Sequence, residues 1–183
     1  MPRPVPAGRA FHSFHHTKGF PLNVDRIHLI ATGGTLDKRY NPLTGQLDIG
    51  PPVLPEILAA AGIALDVSQV LKKDSLDITD AEREQLAAFV AASPARRVLI
   101  THGTDTMGAS AALIAPRTPD KTVVLTGAMV PWSVAGSDAA FNVGVAFAAV
   151  QTLPPGVYIA MHGRVLPHAA YVKDRTQGRF VAG

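Results

Sequence analysis

Two threonine- and glycine-rich segments hold the side chains best suited to chemistry, Ala31-Thr32-Gly33-Gly34-Thr35 and Thr101-His102-Gly103-Thr104-Asp105-Thr106. Each follows a short apolar run, Ile27-His28-Leu29-Ile30-Ala31 and Arg97-Val98-Leu99-Ile100-Thr101. Hydroxyls and free backbone N–H groups are thereby set at the carboxyl end of a buried strand, where open α/β sheets keep their sites. Glycines at 33 and 34 permit positive φ and close approach to a ligand, so the Thr35 hydroxyl can turn outward, and Thr35 is a candidate nucleophile. A free hydroxyl is a poor nucleophile and needs a base to take its proton. Thr104 or Asp105 is expected to cap a helix over 107–114, whose first N–H groups favour an anion. Either segment alone also reads as a plain turn or cap.

The elements that must position these groups alternate regularly. After Thr35, residues 36–47 are polar and turn-rich, a natural lid that could bring Tyr40 onto a substrate; Tyr40 anchoring a hairpin is the plainer alternative. Beyond it the pattern predicts a helix from Leu54 to Ala61, a strand near Leu65–Leu71 and a helix from Thr79 to Ala92. Thr79 and Glu82 stand at capping-box spacing. Strands near Val123–Thr126 and Val157–Met161 flank a helix over Asp138–Val150. This alternation predicts an α/β fold: an open, mostly parallel sheet with helices on both faces, a single domain, linked by right-handed crossovers. The reacting hydroxyls then sit on one rim.

Composition suits one globular core: 183 residues, 47% hydrophobic. The formal charge is only +3, with lysine and arginine dispersed, so no nucleic-acid partner is implied. There are no cysteines, which excludes disulfides and thiolate chemistry. No apolar run nears the ~20 residues of a membrane helix, and the basic start lacks the apolar core of a secretory signal; no membrane partner and a cytoplasmic location are expected. Residues 1–24, rich in proline and carrying His12, His15 and His16, read as a flexible extension preceding a domain over 25–183. Those histidines have no carboxylate or cysteine at ligand spacing, so neither metal nor cofactor is expected.

The string His102-Gly103-Thr104-Asp105-Thr106-Met107, one βα unit beyond Ala31–Thr35 with a serine segment between, resembles the bacterial-type L-asparaginase family. The likeness runs from Ile27 to about Phe180. Lys73-Asp74-Ser75-Leu76-Asp77 is similar to the family's substrate-binding serine segment, and Thr126-Gly127-Ala128-Met129-Val130-Pro131 and Ser137–Asn142 to its Gly-Ala-Met-x-Pro and Phe-Asn stretches. Tyr171-Val172-Lys173 falls where the family keeps a catalytic lysine.

The resemblance implies hydrolysis of L-asparagine to aspartate and ammonia through a threonine acyl-enzyme. It nominates Thr35 as the attacking group with Tyr40 as partner, and Thr104 with Lys173 as a second cluster, where a lysine held from water can accept a proton. Which threonine attacks first stays open; Thr35 is favoured. Asp105 is cast as the partner of the substrate α-ammonium, with Ser75 and backbone N–H groups around Gly103 holding the α-carboxylate. Plainer roles are a turn cap for Ser75, a helix cap for Asp105 and a surface charge for Lys173. Set against the family, the chain is expected to lack a second, carboxy-terminal domain, and it carries Leu76 where many members place glutamine and His168-Ala169-Ala170 before the lysine. It is thus expected to resemble short, single-domain members whose sites are completed by self-association as a homodimer or homotetramer. The alternatives are a non-catalytic amino-acid-binding domain of the same fold and a nucleotide-binding module. The last lacks both Gly-x-Gly-x-x-Gly and a Gly-Lys-Thr phosphate loop.

Overall fold

Strands covered on both faces need apolar, β-branched residues at every position rather than at alternate ones, and the three central strands meet that demand. The computed structural model describes residues 27–174 and 179–182. In chain order these form β1 (Ile27–Gly33), the hairpin β2 (Lys38–Asn41) and β3 (Gln46–Ile49), α1 (Leu54–Ala59), β4 (Val67–Lys73), α2 (Asp80–Ala92) and β5 (Arg97–Thr101). They continue through α3 (Met107–Ile114), β6 (Thr122–Thr126), α4 (Ala139–Thr152), β7 (Gly156–Met161), β8 (Arg164–Pro167), β9 (Tyr171–Asp174) and β10 (Arg179–Ala182). The 1–24 segment and its histidines lie outside the described residues.

The main sheet has the order β4-β1-β5-β6-β7-β8, with β8 alone antiparallel. Because side chains alternate across a strand, Leu29, Leu99 and Val124 face one side and pack with Leu54 and Ile57 of α1 and Val143 and Val150 of α4. Ile30, Ile100 and Leu125 face the other and pack with Leu86 and Val90 of α2 and Met107 and Ile114 of α3. The sheet is therefore sandwiched, as its composition requires.

One expectation fails here. From β5 to β6 and from β6 to β7 the chain steps across the sheet in the same direction, yet α3 and α4 lie on opposite faces, so the two connections have opposite hands. The α1 and α2 crossovers agree with α3, which leaves β6–α4–β7 as the exception to the right-handed rule. That rule holds for connections that pack straight back on the sheet. Here residues 127–138 instead cross the carboxyl rim to the α1 face. Trp132 N donates to Leu36 O (3.3 Å), Trp132 Nε1 to Glu56 Oε1 (2.8 Å) and Ser133 Oγ to Lys38 O (2.9 Å).

Other differences are local. The 36–47 stretch is the β2–β3 hairpin, closed by Gly45 N donating to Asn41 O. Strand β4 runs later than Leu65–Leu71 because Val67 pairs with Leu29 of β1. Strand β8, not anticipated, follows a two-residue turn in which His162 and Gly163 both take positive φ (53° and 74°), the pattern that matches strand twist.

Candidate functional site

The chain leaves β1 for β4 on one side and returns to β5 on the other, so the strand order reverses at β1 and β5, the place where doubly wound sheets bind ligands. Thr35 follows β1 and Thr104 follows β5. The segments there are pressed together. A Cβ on Gly34 would lie 2.5 Å from Gly103 Cα, one on Gly103 2.6 Å from Ser75 Cβ, and one on Gly33 2.7 Å from Lys73 O. These glycines thus admit neighbouring backbone, correcting the expectation that Gly33 and Gly34 make room for a ligand. Positive φ at both (97° and 83°) is as expected.

Lys173 reaches the site through β9. Tyr171 and Lys173, two residues apart, share a strand face. Tyr171 is buried, donates its hydroxyl to Met161 O (3.0 Å) and packs on Phe180 at 4.9 Å between ring centroids. With that anchor set, Lys173 Nζ donates to Thr104 Oγ1 (2.7 Å) and to Asp105 Oδ1 (2.9 Å). Thr104 is buried and the Lys173 side chain is 13% exposed. A hydroxyl, an amine and a carboxylate are thus joined in sequence, the arrangement in which a base is oriented by a third group. The expectation that Thr104 or Asp105 caps α3 is not met. Thr106 occupies the cap position without a side-chain cap bond, its hydroxyl donating to Ser75 O instead, while the Thr104 and Asp105 side chains are turned to Lys173.

Ser75 lies in a 3₁₀ turn after β4, wholly buried, with no hydrogen-bond partner for its Oγ among the described residues. It does not cap that turn; Asp74 does, accepting from Leu76 N. Beneath it runs a polar network that the sequence pattern does not reveal. Thr106 Oγ1 donates to Ser75 O (2.7 Å), and the buried guanidinium of Arg83 on α2 donates to Ile78 O (2.9 Å), Ser75 O (3.5 Å), Thr106 Oγ1 (3.2 Å) and Ser110 Oγ (3.4 Å). His102 Nδ1 donates to Gly103 O (2.8 Å), which leaves Nε2 to accept from Ser110 Oγ (2.8 Å). Burial pushes the imidazole pKa down to about 4, with Arg83 adding to the effect, so the ring is neutral and structural. A signal for Arg83 does exist: Arg83, Leu86, Ala87 and Val90 follow the spacing of one buried helix face.

The β1 side is looser. Thr35 is half-buried, and its hydroxyl makes no hydrogen bond among the described residues. Tyr40, on β2 opposite Leu47, is 65% exposed and not bonded to Thr35, so it neither closes the site nor anchors the hairpin through its hydroxyl. Asp37, two residues from Thr35, is fully buried, accepting from Val53 N (2.9 Å) through Oδ1 while Oδ2 has no partner among the described residues. Burial lifts its pKa to about 6, opposed by the Val53 bond and the Arg39 charge. Lys38 ties the hairpin to the serine segment by an ion pair with Asp74 (2.8 Å).

The Gly-Ala-Met-x-Pro stretch is held by Asp138, whose carboxylate accepts from Met129 N (3.0 Å), Val130 N (3.0 Å) and Asn142 Nδ2 (2.8 Å). Two cavities open on the rim. One of about 280 Å³ is lined by Thr104, Asp105, Tyr171, Lys173 and Phe180; another of about 610 Å³ lies between the hairpin and β4, beside Leu76 and Asp74. Of the nominated residues, Thr104, Asp105 and Lys173 are joined by hydrogen bonds. Gly103 is pressed on Ser75, Thr35 adjoins Gly34, and Tyr40 stands apart.

Fold and site together define a doubly wound α/β domain with threonine-bearing turns at its switch point. Residues 26–180 match the family described as Asparaginase, N-terminal, and the chain belongs to that family. It is similar to a glutamyl-tRNA(Gln) amidotransferase polypeptide of Methanococcus maripaludis, 28% identical over 180 residues, covering 87% of this chain and 41% of that one. Among solved structures, the thermostable L-asparaginase of Thermococcus kodakarensis superposes with a TM-score of 0.74 at 27% identity, covering 85% of this chain and 50% of that one. The probable cytoplasmic L-asparaginase of Campylobacter jejuni gives 0.69 at 32%, covering 81% and 49%. The chain spans half or less of the length of these relatives.

Proposed function

We propose that this chain hydrolyses the side-chain amide of L-asparagine, with Thr35 as the attacking group. The observation that carries the reading is the pairing of two threonines at the switch point in unlike states. The Thr35 hydroxyl makes no hydrogen bond among the described residues, while Thr104 Oγ1 accepts from Lys173. In the proposed reaction the Thr35 oxygen attacks the amide carbon, its proton is relayed through the Tyr40 hydroxyl to the amide nitrogen once the hairpin closes, and backbone N–H groups receive the oxyanion until the C–N bond breaks. Ammonia leaves with a proton, and water directed by Thr104 and Lys173 cleaves the ester to aspartate. Ser75 and the Gly103 backbone hold the α-carboxylate and Asp105 the α-ammonium. The names of the relatives from Thermococcus and Campylobacter support asparagine as substrate, and the latter's description supports a cytoplasmic location. A second copy of the chain is proposed to complete the site, which sedimentation at working concentration checks.

A second reading has Thr104 attack first, favoured by its direct contact with Lys173 and Lys173's with Asp105. Ammonia release from asparagine, with the protein trapped and weighed during turnover, separates the two. An adduct of aspartyl mass at residue 35, lost in Thr35→Ala together with activity, is the expected result. An adduct at residue 104 transfers the role. Inert protein that still binds aspartate is a binding domain instead.

A further inference from the structure

Arg83 is a buried cation whose nearest carboxylate among the described residues, on Asp80, is 3.8 Å away on a fully exposed side chain. Its other partners are neutral: the carbonyls of Ser75 and Ile78 on the turn after β4, and the hydroxyls of Thr106 and Ser110 on the segment after β5. One planar fork therefore spans two loops that backbone hydrogen bonding does not join, and Thr106 Oγ1 closes the bridge from the other side by donating to Ser75 O. Burying a weakly compensated charge costs stability, and apolar groups of the same volume hold loops together as well or better. Apolar packing would not supply a positive field beneath Ser75. The Ser75 hydroxyl above it is wholly buried and has no partner among the described residues, a donor left for an acceptor from outside them.

We propose that Arg83 is a positioning residue for the anionic end of the substrate, its guanidinium clamping the Ser75–Ile78 turn to Thr106 so that the Ser75 hydroxyl is held, over a buried positive charge, to receive a carboxylate. This rests on the proposed reading of the site in one respect, that the ligand carries a carboxylate at Ser75. Arg83 touches no substrate atom; it acts through Ser75 and Thr106.

The test is a double-mutant cycle read by calorimetric binding of L-aspartate, which needs no turnover. R83Q, which removes the charge and one arm of the fork, is expected to weaken binding by about tenfold, and R83K, which keeps the charge alone, by less. In an S75A background the further R83Q change is expected to cost under about threefold, because the effect passes through that hydroxyl. With asparagine as substrate, R83Q is expected to raise KM while kcat stays within about threefold; a merely structural role would lower the active fraction and leave KM alone. Equal losses in both backgrounds, or unchanged affinity in folded R83Q, overturn the proposal. Should R83Q fail to fold, T106V removes the opposite side of the same bridge, and a folded T106V with wild-type affinity overturns it equally. If the wild-type protein neither releases ammonia nor binds aspartate, the proposed function falls by itself and amide exchange decides the clamp. Joint loss of protection in Ser75–Ile78 and Thr104–Met107 in R83Q sustains it, and unchanged protection in either segment ends it.

Discussion

The two threonine-bearing turns look alike in sequence and differ in how they are held. The turn after β5 is locked: Thr104 and Asp105 to Lys173, Thr106 to Ser75, His102 to Ser110, and Gly103 against Ser75. The turn after β1 is pinned at its start, where Gly34 meets Gly103 and Gly34 N donates to Lys73 O (2.9 Å), and then runs into an exposed hairpin held mainly by Lys38–Asp74, Arg39–Glu56 and the Ser133 bond. One side is held by many bonds and the other by few, the division of labour that the proposed reaction calls for, with a fixed cluster to orient water and a hairpin to close over the attacking group.

Ways of breaking this contrast follow in order of expected size. On the proposed reaction, Thr35→Ala is expected to lower kcat for ammonia release by about 10⁴-fold or more, since loss of the attacking group leaves only binding and oxyanion stabilisation, and Thr104→Ala, which removes a water-directing group, by about 10³-fold. Equal residual rates would erase the distinction between the turns.

Next is stability. Gly34→Ala meets Gly103 backbone at 2.5 Å with φ +83°, and should cost about 4 kcal/mol in a denaturant titration. Gly45→Ala, at φ +69° with nothing within 4 Å, should cost about 1 kcal/mol. Similar costs at both would show that the hairpin tip is as constrained as its root.

The turns should also answer acid in opposite senses. His102 folds with its pKa near 4, below the ordinary 6.5, so the unfolded chain binds the extra proton and stability falls as pH drops from 6.5 toward 4, by roughly 3 kcal/mol in all. Asp37 folds with its pKa near 6, above the ordinary 3.8, so the folded chain binds the extra proton and its contribution rises as pH drops from 6 toward 3.8. Asp37→Asn removes the second effect, so urea unfolding between pH 6 and 4 should weaken more steeply than in wild type, by up to about 1.4 kcal/mol per pH unit. Parallel pH profiles would mean that the buried carboxyl does not take up a proton on folding.

Smallest is Lys38→Met. Both partners of the Lys38–Asp74 pair are about a quarter exposed, so stability should change by under about 1 kcal/mol, while KM for asparagine rises more than kcat falls as the hairpin loosens. An unchanged KM would show that the tether plays no part in closure.

Much of this is legible without coordinates where the cause is local. The glycines after β1, the apolar runs of β5 and β6, the Thr79–Glu82 capping box and the buried stripe of α2 are set by residues within one turn or one strand of each other. The resemblance groups Thr104 with Lys173 but gives Asp105 a separate role, and the Lys173–Asp105 bond escapes it because Lys173 is 68 positions beyond Asp105 and arrives through the seating of Tyr171. Arg83 sits on a helix face that periodicity marks as buried and still escapes a reading of the sequence, since a charge there makes sense only when its loop partners are known.

By itself, then, the order of residues determined the parallel strands of the main sheet, the helices, the two-sided burial of that sheet and the threonine turns at its carboxyl rim, because propensity, periodicity and capping act over a few neighbouring residues. Only the tertiary structure decided that α4 crosses to the α1 face, that the glycines after β1 serve backbone against backbone, and that Lys173 and Arg83 converge on the turn after β5 from distant segments. Those features depend on which buried polar groups find partners across the fold, a condition that no window of sequence contains.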